Sequence, residues 1–547
     1  MKFLSELART GWDVIVIGGG CTGTGILRDL AMRGFKALLL EQGDLAHGSS
    51  SRFHGLLHSG GRYAVFDPAA ARECIEENMI LRRIGAHCVE VTEGLFVRTR
   101  EDDEVFEEKW VAACGACGIR AEPLTRARAL ELEPNLAPDL ASAYIVPDSA
   151  VDGFRLVWQN AFSARRHGGE FRTRACVSDI GVAQGRVTGV VACDTDTAET
   201  AFIPASFVVN ATGSWVGRIA QMAGLSVHVQ PDRGALVAFN HRFTGRVVNR
   251  LHKPGDGDIF VPHGSITILG TSSLKTEDPA DSRVTTEEVL HLLDTGRPLF
   301  PQIDSYRILR VFAGTRPLYM ASDGEGGRNA SRNFVVLDHE EEGLSGIASV
   351  CGGKFTTYRL MAERMVDLVC ARLGRKAACT TASEPLVPEI PEELRRRASV
   401  FFPAQGLETA ASRLCDGLEG AVARMELEPW KKSLVCECEV VTFGEFEQMA
   451  AEPSSRTLND IRRRTRLGMG TCQGTFCGMR AIGRLAEAGM PAGDTSMLLR
   501  DFQEERWHGF RPVLWGGELR ELELARNVYG ATLNIDGADF DREDDCA

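Results

Sequence analysis

Four cysteines towards the C-terminus form two closely spaced pairs that could bind a metal. Cys436 and Cys438 are spaced C-x-C, and Cys472 and Cys477 follow as a C-x4-C pair. Four thiolates in two pairs can hold a 2Fe-2S cluster or a tetrahedral zinc ion. Because structural zinc usually takes C-x2-C or wider pairs, the spacing favours a 2Fe-2S cluster, with zinc and unrelated free thiols as the alternatives.

A loop near the N-terminus, rich in glycine, serine and histidine, carries side chains suited to binding an anion and moving a proton. It contains His54, His58 and Arg62, and Arg316 ends a strand-like segment much later. The planar fork of arginine binds carboxylate or phosphate bidentately, so Arg62 and Arg316 are candidate anion clamps. Either histidine could accept a substrate proton. The alternatives are arginines in surface salt bridges and histidines in structural hydrogen bonds.

A glycine-rich turn predicts a dinucleotide site and the elements that would position this loop. Three glycines after a β-branched run fit the G-x-G-x-x-G pattern: Gly18, Gly20 and Gly23. The pattern allows a tight turn, close approach to a pyrophosphate and helix packing. We expect a helix over residues 24–33, with its amides facing the phosphates, and a strand over 37–40. The strand ends at Glu41, which is placed to bind ribose hydroxyls.

The glycine turn does not separate FAD from NAD, but two later segments favour FAD. An apolar strand runs into Ala211 and Gly213, and another leads into Gly352 and Gly353. A Gly-Gly turn lets helix amides approach the flavin ring, whose reduced form carries negative charge. Lys354 could stabilise that charge or only line the helix start. The predicted cofactor-binding residues are Gly18, Gly19, Gly20, Gly23, Glu41, Ser50, Ser51, Ala211, Gly213, Gly352, Gly353, Lys354 and Phe355.

Composition excludes several classes of protein. The 547 residues carry 62 Lys plus Arg against 75 Asp plus Glu, a net charge of −13, which argues against nucleic-acid binding. The first residues are too polar for a signal peptide, and no stretch is long and apolar enough for a spanning helix. The 16 cysteines are therefore expected to stay reduced. A basic run at 462–466 could offset the charge of four thiolates, with a solvated helix face as the alternative.

The chain divides into four predicted segments of an α/β protein. Residues 1–375 form a two-domain FAD-binding Rossmann-type flavoprotein, in which the FAD part and a strand-rich substrate part are interleaved. Residues 376–432 are a linker and helices, and 433–485 are a small helical 2Fe-2S module. Residues 486–547 form a C-terminal tail with an amphipathic helix expected over 518–529.

The motifs together resemble the FAD-dependent glycerol-3-phosphate dehydrogenase family, and within it the anaerobic three-subunit bacterial type. The resemblance is carried by Val16 to Gly20, His54 to Tyr63, Asp258 to Pro262, Gly314 to Leu318, Gly352 to Arg359 and Arg462 to Cys477. The cysteine segment is similar to the 2Fe-2S domain of bacterioferritin-associated ferredoxins, which single-chain aerobic members of the family lack.

The resemblance implies roles that the spacing does not give. It implies oxidation of sn-glycerol 3-phosphate to dihydroxyacetone phosphate by hydride transfer to FAD, with Arg62 and Arg316 at the substrate phosphate and Lys354 at flavin and substrate. A histidine that some single-chain relatives place before a substrate strand is not recognisable around residues 233–236. The base is therefore left open between His54, His58 and another group.

The resemblance also implies partners and a location. Electrons would pass through the 2Fe-2S cluster to partner subunits, one of them a membrane-associated iron-sulfur protein, and then to the quinone pool. FMN in another chain of the complex is worth testing. The chain itself would be peripheral at the cytoplasmic face of the inner membrane, without a transmembrane segment.

Two other functions fit the same residues. Two arginines could clamp a carboxylate, as an amine, amino-acid or opine oxidoreductase of the same flavoprotein frame would require. A non-catalytic electron-transfer scaffold would need no anion clamp, so the His/Arg loop weighs against it.

Overall fold

A central sheet with five parallel strands organises the N-terminal part of the computed structural model, which describes residues 2–320 and 333–528. Two of the parallel strands, Trp12–Ile17 and Ala37–Leu40, are mostly apolar and buried, as the interior of a parallel sheet requires. A pair of antiparallel strands joins one of the parallel strands, and a further antiparallel strand pairs with the parallel strand at one edge. In spatial order the parallel strands are Ile347–Gly352, Thr200–Asn210, Trp12–Ile17, Ala37–Leu40 and Glu170–Arg172, and the antiparallel strands are Ala175–Ala183, Arg186–Asp194 and Phe334–Asp338.

Helices cover this sheet and surround the loops at the ends of its strands. The first long helix begins at Cys21, three residues before the predicted start, and packs against Gly153–Arg166 and Tyr358–Arg372. The helices before residue 376 are Leu4–Ala8, Cys21–Met32, Pro68–Ile84, Glu104–Ala116, Arg126–Leu132, Gly153–Arg166, Val216–Met222, Thr286–Gly296 and Tyr358–Arg372.

A second, mostly antiparallel sheet of nine strands lies next to the loop that contains His54 and Arg62. Two long strands, Val229–Phe239 and Ile308–Tyr319, pair along almost their whole length. The other strands are Gly94–Arg98, Glu122–Leu124, Ser142–Val146, Val247–Arg250, Ile259–His263, Ile266–Gly270 and Leu274–Lys275. A small three-stranded sheet of Leu56–Leu57, Val89–Glu90 and Ser149–Val151 anchors the loop beneath it.

The C-terminal part is helical and shares a hydrophobic core with the first sheet. Trp158, Phe446 and Phe502 belong to one buried cluster, and Trp158 Nε1 donates a hydrogen bond to the carbonyl of Arg413 at 3.1 Å. The elements are the hairpin Leu434–Cys436 and Val441–Thr442 and the helices Glu392–Ala398, Ala404–Leu414, Leu418–Leu427, Phe443–Ala450, Leu458–Thr465, Cys477–Glu487, Ala492–Phe510 and Gly516–Asn527.

The predicted α/β fold class is confirmed, with differences at the ends of elements. The amphipathic helix expected over 518–529 spans Gly516–Asn527, and residue 529 lies outside the described residues. Among the described helices, none combines the length and the apolar character needed to cross a bilayer.

Candidate active site

The predicted dinucleotide turn adopts a geometry that only glycine permits. Gly18 has φ +109°, and a Cβ there would lie 2.7 Å from the carbonyl oxygen of Ala211. A Cβ on Gly23 would lie 1.9 Å from the oxygen of Gly18. The three predicted residues Gly18, Gly23 and Ala211 are thus in mutual contact, and the N-terminus of the helix Cys21–Met32 is left open to a phosphate.

Two further predicted residues reach this turn. Glu41 accepts hydrogen bonds from the amides of Gly19 at 2.6 Å and Gly43 at 2.8 Å, and its burial raises the pKa of the carboxyl. Ser50 Oγ accepts from the amide of Cys21 at 2.9 Å, a position that a phosphate oxygen takes at such helix starts. A buried carboxylate and a hydroxyl at a glycine-rich helix start fit a dinucleotide site.

The second predicted glycine pair lies at the entry to the helix Tyr358–Arg372. Gly352 and Gly353 both have positive φ, and a 3-10 turn over Phe355–Thr357 follows. Phe355 stacks on Phe53 with ring centroids 4.4 Å apart, so this turn contacts the N-terminal loop. This contact brings the Gly352-Gly353 turn next to the loop that carries His54 and Arg62.

Arg62 is held by a buried aspartate at the edge of the second sheet. Its Nη2 donates to both carboxylate oxygens of Asp258, at 2.8 and 2.9 Å, and to the carbonyl of Gly255 at 3.1 Å. Burial alone would raise the pKa of Asp258, but Arg62, His252 and the Gly255 amide hold it below its ordinary value. The arginine is therefore fixed in direction before any ligand binds.

Arg316 is held in the same way at the paired strands of the second sheet. It forms an ion pair with the fully buried Asp232, hydrogen-bonds Thr271 Oγ1, and donates to the carbonyl of Ser272 at 2.9 Å. Gly234 makes room for the guanidinium, because a Cβ there would lie 2.5 Å from its Nη2. Each of the two predicted anion clamps thus forms an ion pair with a buried aspartate.

His54 lies in the field of both arginines. Its burial, followed by the charges of Arg62 and Arg316, lowers the pKa of His54 to about 3. The amide of Leu56 donates to His54 Nδ1 at 3.0 Å, so the neutral imidazole carries its proton on Nε2. His54 is arranged to donate a hydrogen bond rather than to accept a proton.

The remaining predicted catalytic residues form a row beside His54. The rings of His54 and His58 lie 5.8 Å apart, those of His58 and Tyr63 lie 5.3 Å apart, and Lys354 Nζ sits 4.6 Å above the Tyr63 ring. The His58 amide donates to Thr356 Oγ1 at 3.1 Å, which ties the row to the second glycine turn. The fold therefore gathers residues that are up to 300 positions apart in the sequence into one site.

The four predicted metal-ligand cysteines converge, and backbone amides surround them. Cys477 hydrogen-bonds Cys436 and Cys472, and Cys438 hydrogen-bonds Cys472. The bond from Cys477 lowers the pKa of Cys436 to about 7 and that of Cys472 to about 5. Among the described residues, no three His, Cys, Asp or Glu side chains surround one ion position.

Amide donors are what a negatively charged sulfur cluster requires of its surroundings. The amides of Gly468 and Glu439 donate to Cys436, and those of Gly474 and Phe476 donate to Cys472. These four amides stabilise negative charge on the sulfur atoms of Cys436 and Cys472.

The basic run at 462–466 has a different role from either one considered in the sequence. Arg464 makes a bidentate bond to Asp44, and Arg463 also reaches Asp44, at 3.2 Å. Arg466 bonds Asp152 at 3.0 Å. Arg466 also pairs with Glu439 at 2.8 Å, and Arg462 pairs with Glu505 at 3.3 Å. The run is therefore ion-paired with carboxylates of the FAD part and of the C-terminal part.

Sequence reasoning missed the aspartates that orient the site. Asp258 lies inside a motif that carried the family resemblance, but it was given no role, and Asp232 lies in the segment searched for a histidine. Asp232 lies within an apolar strand and Asp258 directly before one, and both are buried. A carboxylate in or next to an apolar run could have marked them, since unpaired carboxylates are rarely buried. Arg233, next to Asp232, makes a structural ion pair with Glu288 at 2.8 Å.

The chain matches known proteins along most of its length. Residues 13–368 match the family model described as FAD dependent oxidoreductase. The chain is 44% identical over 522 residues to the A subunit of anaerobic glycerol-3-phosphate dehydrogenase from Escherichia coli K12, covering 94% of this chain and 96% of that one. It is 43% identical over 544 residues to the A1 subunit of the same enzyme from Haloferax volcanii, covering 96% and 91%.

Solved structures show the same fold. The glycerol-3-phosphate dehydrogenase of Bacillus halodurans complexed with FAD superposes with a TM-score of 0.69 at 23% identity, over 94% of this chain and 98% of that one. Glycine oxidase of Geobacillus kaustophilus superposes with a TM-score of 0.54 at 24% identity, over 70% and 100%.

Proposed function

Because the chain belongs to the FAD-dependent oxidoreductases and, within them, to the A subunits of anaerobic glycerol-3-phosphate dehydrogenases, we propose that it oxidises sn-glycerol 3-phosphate to dihydroxyacetone phosphate. The observation that carries the substrate assignment is the pair of arginines around His54, each fixed by its own buried aspartate. Two guanidinium groups that are oriented before binding suit a phosphate dianion, because their side chains need not rearrange to bind it.

FAD, held by the glycine turn, Glu41, Ser50, Ser51 and the Gly352-Gly353 turn, would supply the hydride acceptor. Arg62 and Arg316 would bind the phosphate and so hold the substrate in one orientation for the reaction at C2. His54 donates its Nε2 proton as a hydrogen bond to a substrate oxygen. Lys354 adds positive charge beside the row of rings.

His58 is the proposed base for the substrate hydroxyl. It lies between His54 and Tyr63, in the row that connects the arginines to Lys354. His54 is the weaker candidate, because its low pKa and its bonded Nδ1 leave no basic lone pair at neutral pH.

Cys436, Cys438, Cys472 and Cys477 are proposed to hold a 2Fe-2S cluster, which would supply one-electron transfer chemistry. A zinc ion is the alternative for the same residues, and the amide donors to sulfur favour the cluster. Partner subunits at the cytoplasmic face of the inner membrane, one of them a membrane-associated iron-sulfur protein, would take the electrons towards quinone. FMN in another chain of that complex belongs to the same proposal.

An anaerobic titration of the purified protein with glycerol 3-phosphate, followed by visible absorption and EPR, tests the assignment. We expect the flavin band to bleach and a reduced 2Fe-2S signal to appear. Bleaching by proline, sarcosine or an opine but not by glycerol 3-phosphate would support the amine and amino-acid alternative instead. Flavin extraction from the assembled complex tests FMN.

A further inference from the structure

Three consecutive residues between two strands of the second sheet hold the guanidinium of Arg316 or its counter-ion. Nη2 of Arg316 hydrogen-bonds the hydroxyl of Thr271 and donates to the carbonyl of Ser272 at 2.9 Å. Ser273 Oγ donates to Oδ1 of Asp232 at 2.8 Å, and the other oxygen of that carboxylate pairs with Nη1 of Arg316. The same short segment therefore contacts both partners of the ion pair.

The middle residue of the three fixes the segment to the rest of the sheet. The amide of Ala235 donates to Ser272 Oγ at 2.9 Å, and Ser272 Oγ donates to Oε1 of Glu288 at 3.1 Å. Glu288 in turn forms an ion pair with Arg233 at 2.8 Å. None of these contacts uses Arg316, so the segment is held in place independently of the proposed clamp.

The main chain next to Arg316 is fixed to the FAD part. The carbonyl of Thr315 accepts hydrogen bonds from Ser49 Oγ at 2.5 Å and from Ser214 Oγ at 3.1 Å. Ser49 lies in the loop that carries His54. These bonds fix the point from which the arginine side chain extends, but several rotatable bonds separate that point from the guanidinium. Contacts of the guanidinium itself must therefore set its direction.

Asp232 and Thr271 hold the two Nη atoms of this guanidinium. The ion pair with Asp232 attracts Nη1 but allows the guanidinium plane to turn about that contact, and a second contact on Nη2 prevents the rotation. We propose that Thr271 is a positioning residue, whose hydroxyl keeps Arg316 in the orientation that leaves Nε to the substrate phosphate. Nε has no acceptor among the described residues. This inference rests on the function proposed above.

Substitutions at Thr271 test the role in steady-state kinetics. Thr271→Val removes the hydroxyl and keeps the branched shape, so kcat/KM for glycerol 3-phosphate should fall about tenfold. The value for glycerol, which has no phosphate, should change less than about twofold. Thr271→Ser returns the hydroxyl and should restore the native value. Thr276→Val, at a nearby hydroxyl that hydrogen-bonds the amide of Asp278 instead, is the matched control and should leave both values unchanged.

Binding of dihydroxyacetone phosphate to the oxidised, FAD-saturated chain gives a readout that does not depend on turnover. Titration calorimetry should show binding about tenfold weaker for Thr271→Val and unchanged for Thr271→Ser. A melting curve checks folding, and Thr271→Ala replaces Thr271→Val if that variant does not fold.

Two results would overturn the positioning role while the native chain remains active. They are an equal loss of kcat/KM for glycerol 3-phosphate and glycerol, and unchanged binding of dihydroxyacetone phosphate by the folded Thr271→Val. A native chain that neither binds dihydroxyacetone phosphate nor oxidises glycerol 3-phosphate would overturn the proposed function, and this inference with it.

Discussion

Arg464 of the cysteine module, residues 433–485, and Asp44 of the FAD part form a bidentate ion pair. Both side chains are 2% exposed, and the N–O distances are 2.7 and 2.9 Å. The pair fastens the C-terminal module to the loop that follows the second parallel strand. That loop leads into the serines and histidines of the candidate site. The position of the cysteines relative to the FAD part is therefore set by charge as well as by the shared core.

Asp44→Asn is expected to destabilise the protein strongly. The substitution leaves Arg464 buried without its carboxylate, and breaking such a pair costs about 3–5 kcal/mol. A fall in the thermal unfolding midpoint measures the loss. Glu170→Gln, which breaks the exposed pair with Lys2, serves as the control and should cost less than about 1 kcal/mol. Equal effects of the two substitutions would contradict this account.

Stability at acid pH should also depend on Asp44. Arg464 and Arg463 overcome the effect of burial and lower the pKa of Asp44 to about 2, against about 3.9 in the unfolded chain. A lowered folded pKa gives stability that is present above pH 4 and lost as pH falls from about 4 to 2. Urea unfolding midpoints at pH 6 and pH 3 should fall more for the native chain than for Asp44→Asn. If the midpoints of both proteins fall by the same amount, Asp44 does not contribute to the loss of stability at acid pH.

Arg316→Ala should raise KM and lower kcat/KM for glycerol 3-phosphate by about 100-fold or more, which corresponds to about 3 kcal/mol of charge-assisted hydrogen bonding. The loss for glycerol, which has no phosphate, should be much smaller. Steady-state kinetics with both substrates make the comparison. An equal loss for both would remove the phosphate-clamp assignment. Arg218→Ala, at an exposed pair, is the matched control.

His54 and His58 should differ in their effect on the pH profile. Because the pKa of His54 is about 3, it does not titrate between pH 5 and 8, so His54→Asn should lower kcat/KM without changing the shape of the profile. His58→Asn should remove the ascending limb that belongs to the base. Profiles of kcat/KM for both variants decide between them. Loss of that limb in His54→Asn would make His54 the base.

Cys436→Ser should remove the cluster signal and leave FAD bound. Its thiol contacts Cys477, whereas the FAD residues lie in another part of the fold. Iron and sulfide analysis with EPR measures the cluster, and the flavin band measures FAD. Cys114→Ser, at a buried cysteine outside the cluster, should retain both groups. If Cys436→Ser retains its iron, Cys436 is not a ligand of the cluster.

The FAD fold and the proximity of the four cysteines were predictable because their signals in the sequence are local. A glycine triplet after a strand requires the turn that forms at Gly18, and two short cysteine pairs require only that their loops meet. The partner of Arg464 was not predictable, because 420 residues separate it from Asp44 and either charge alone resembles a solvated one. The same applies to Asp232, whose ion pair with Arg316 depends on the pairing of two long strands.

The shared core has a consequence for biosynthesis. Trp158 and Asp44 are synthesised hundreds of residues before Arg413 and Arg464, their partners. The N-terminal sheet can thus fold on the ribosome before the C-terminal helices that cover its surface have been synthesised. The C-terminal part, with the four cysteines it carries, then docks on a surface that has already folded.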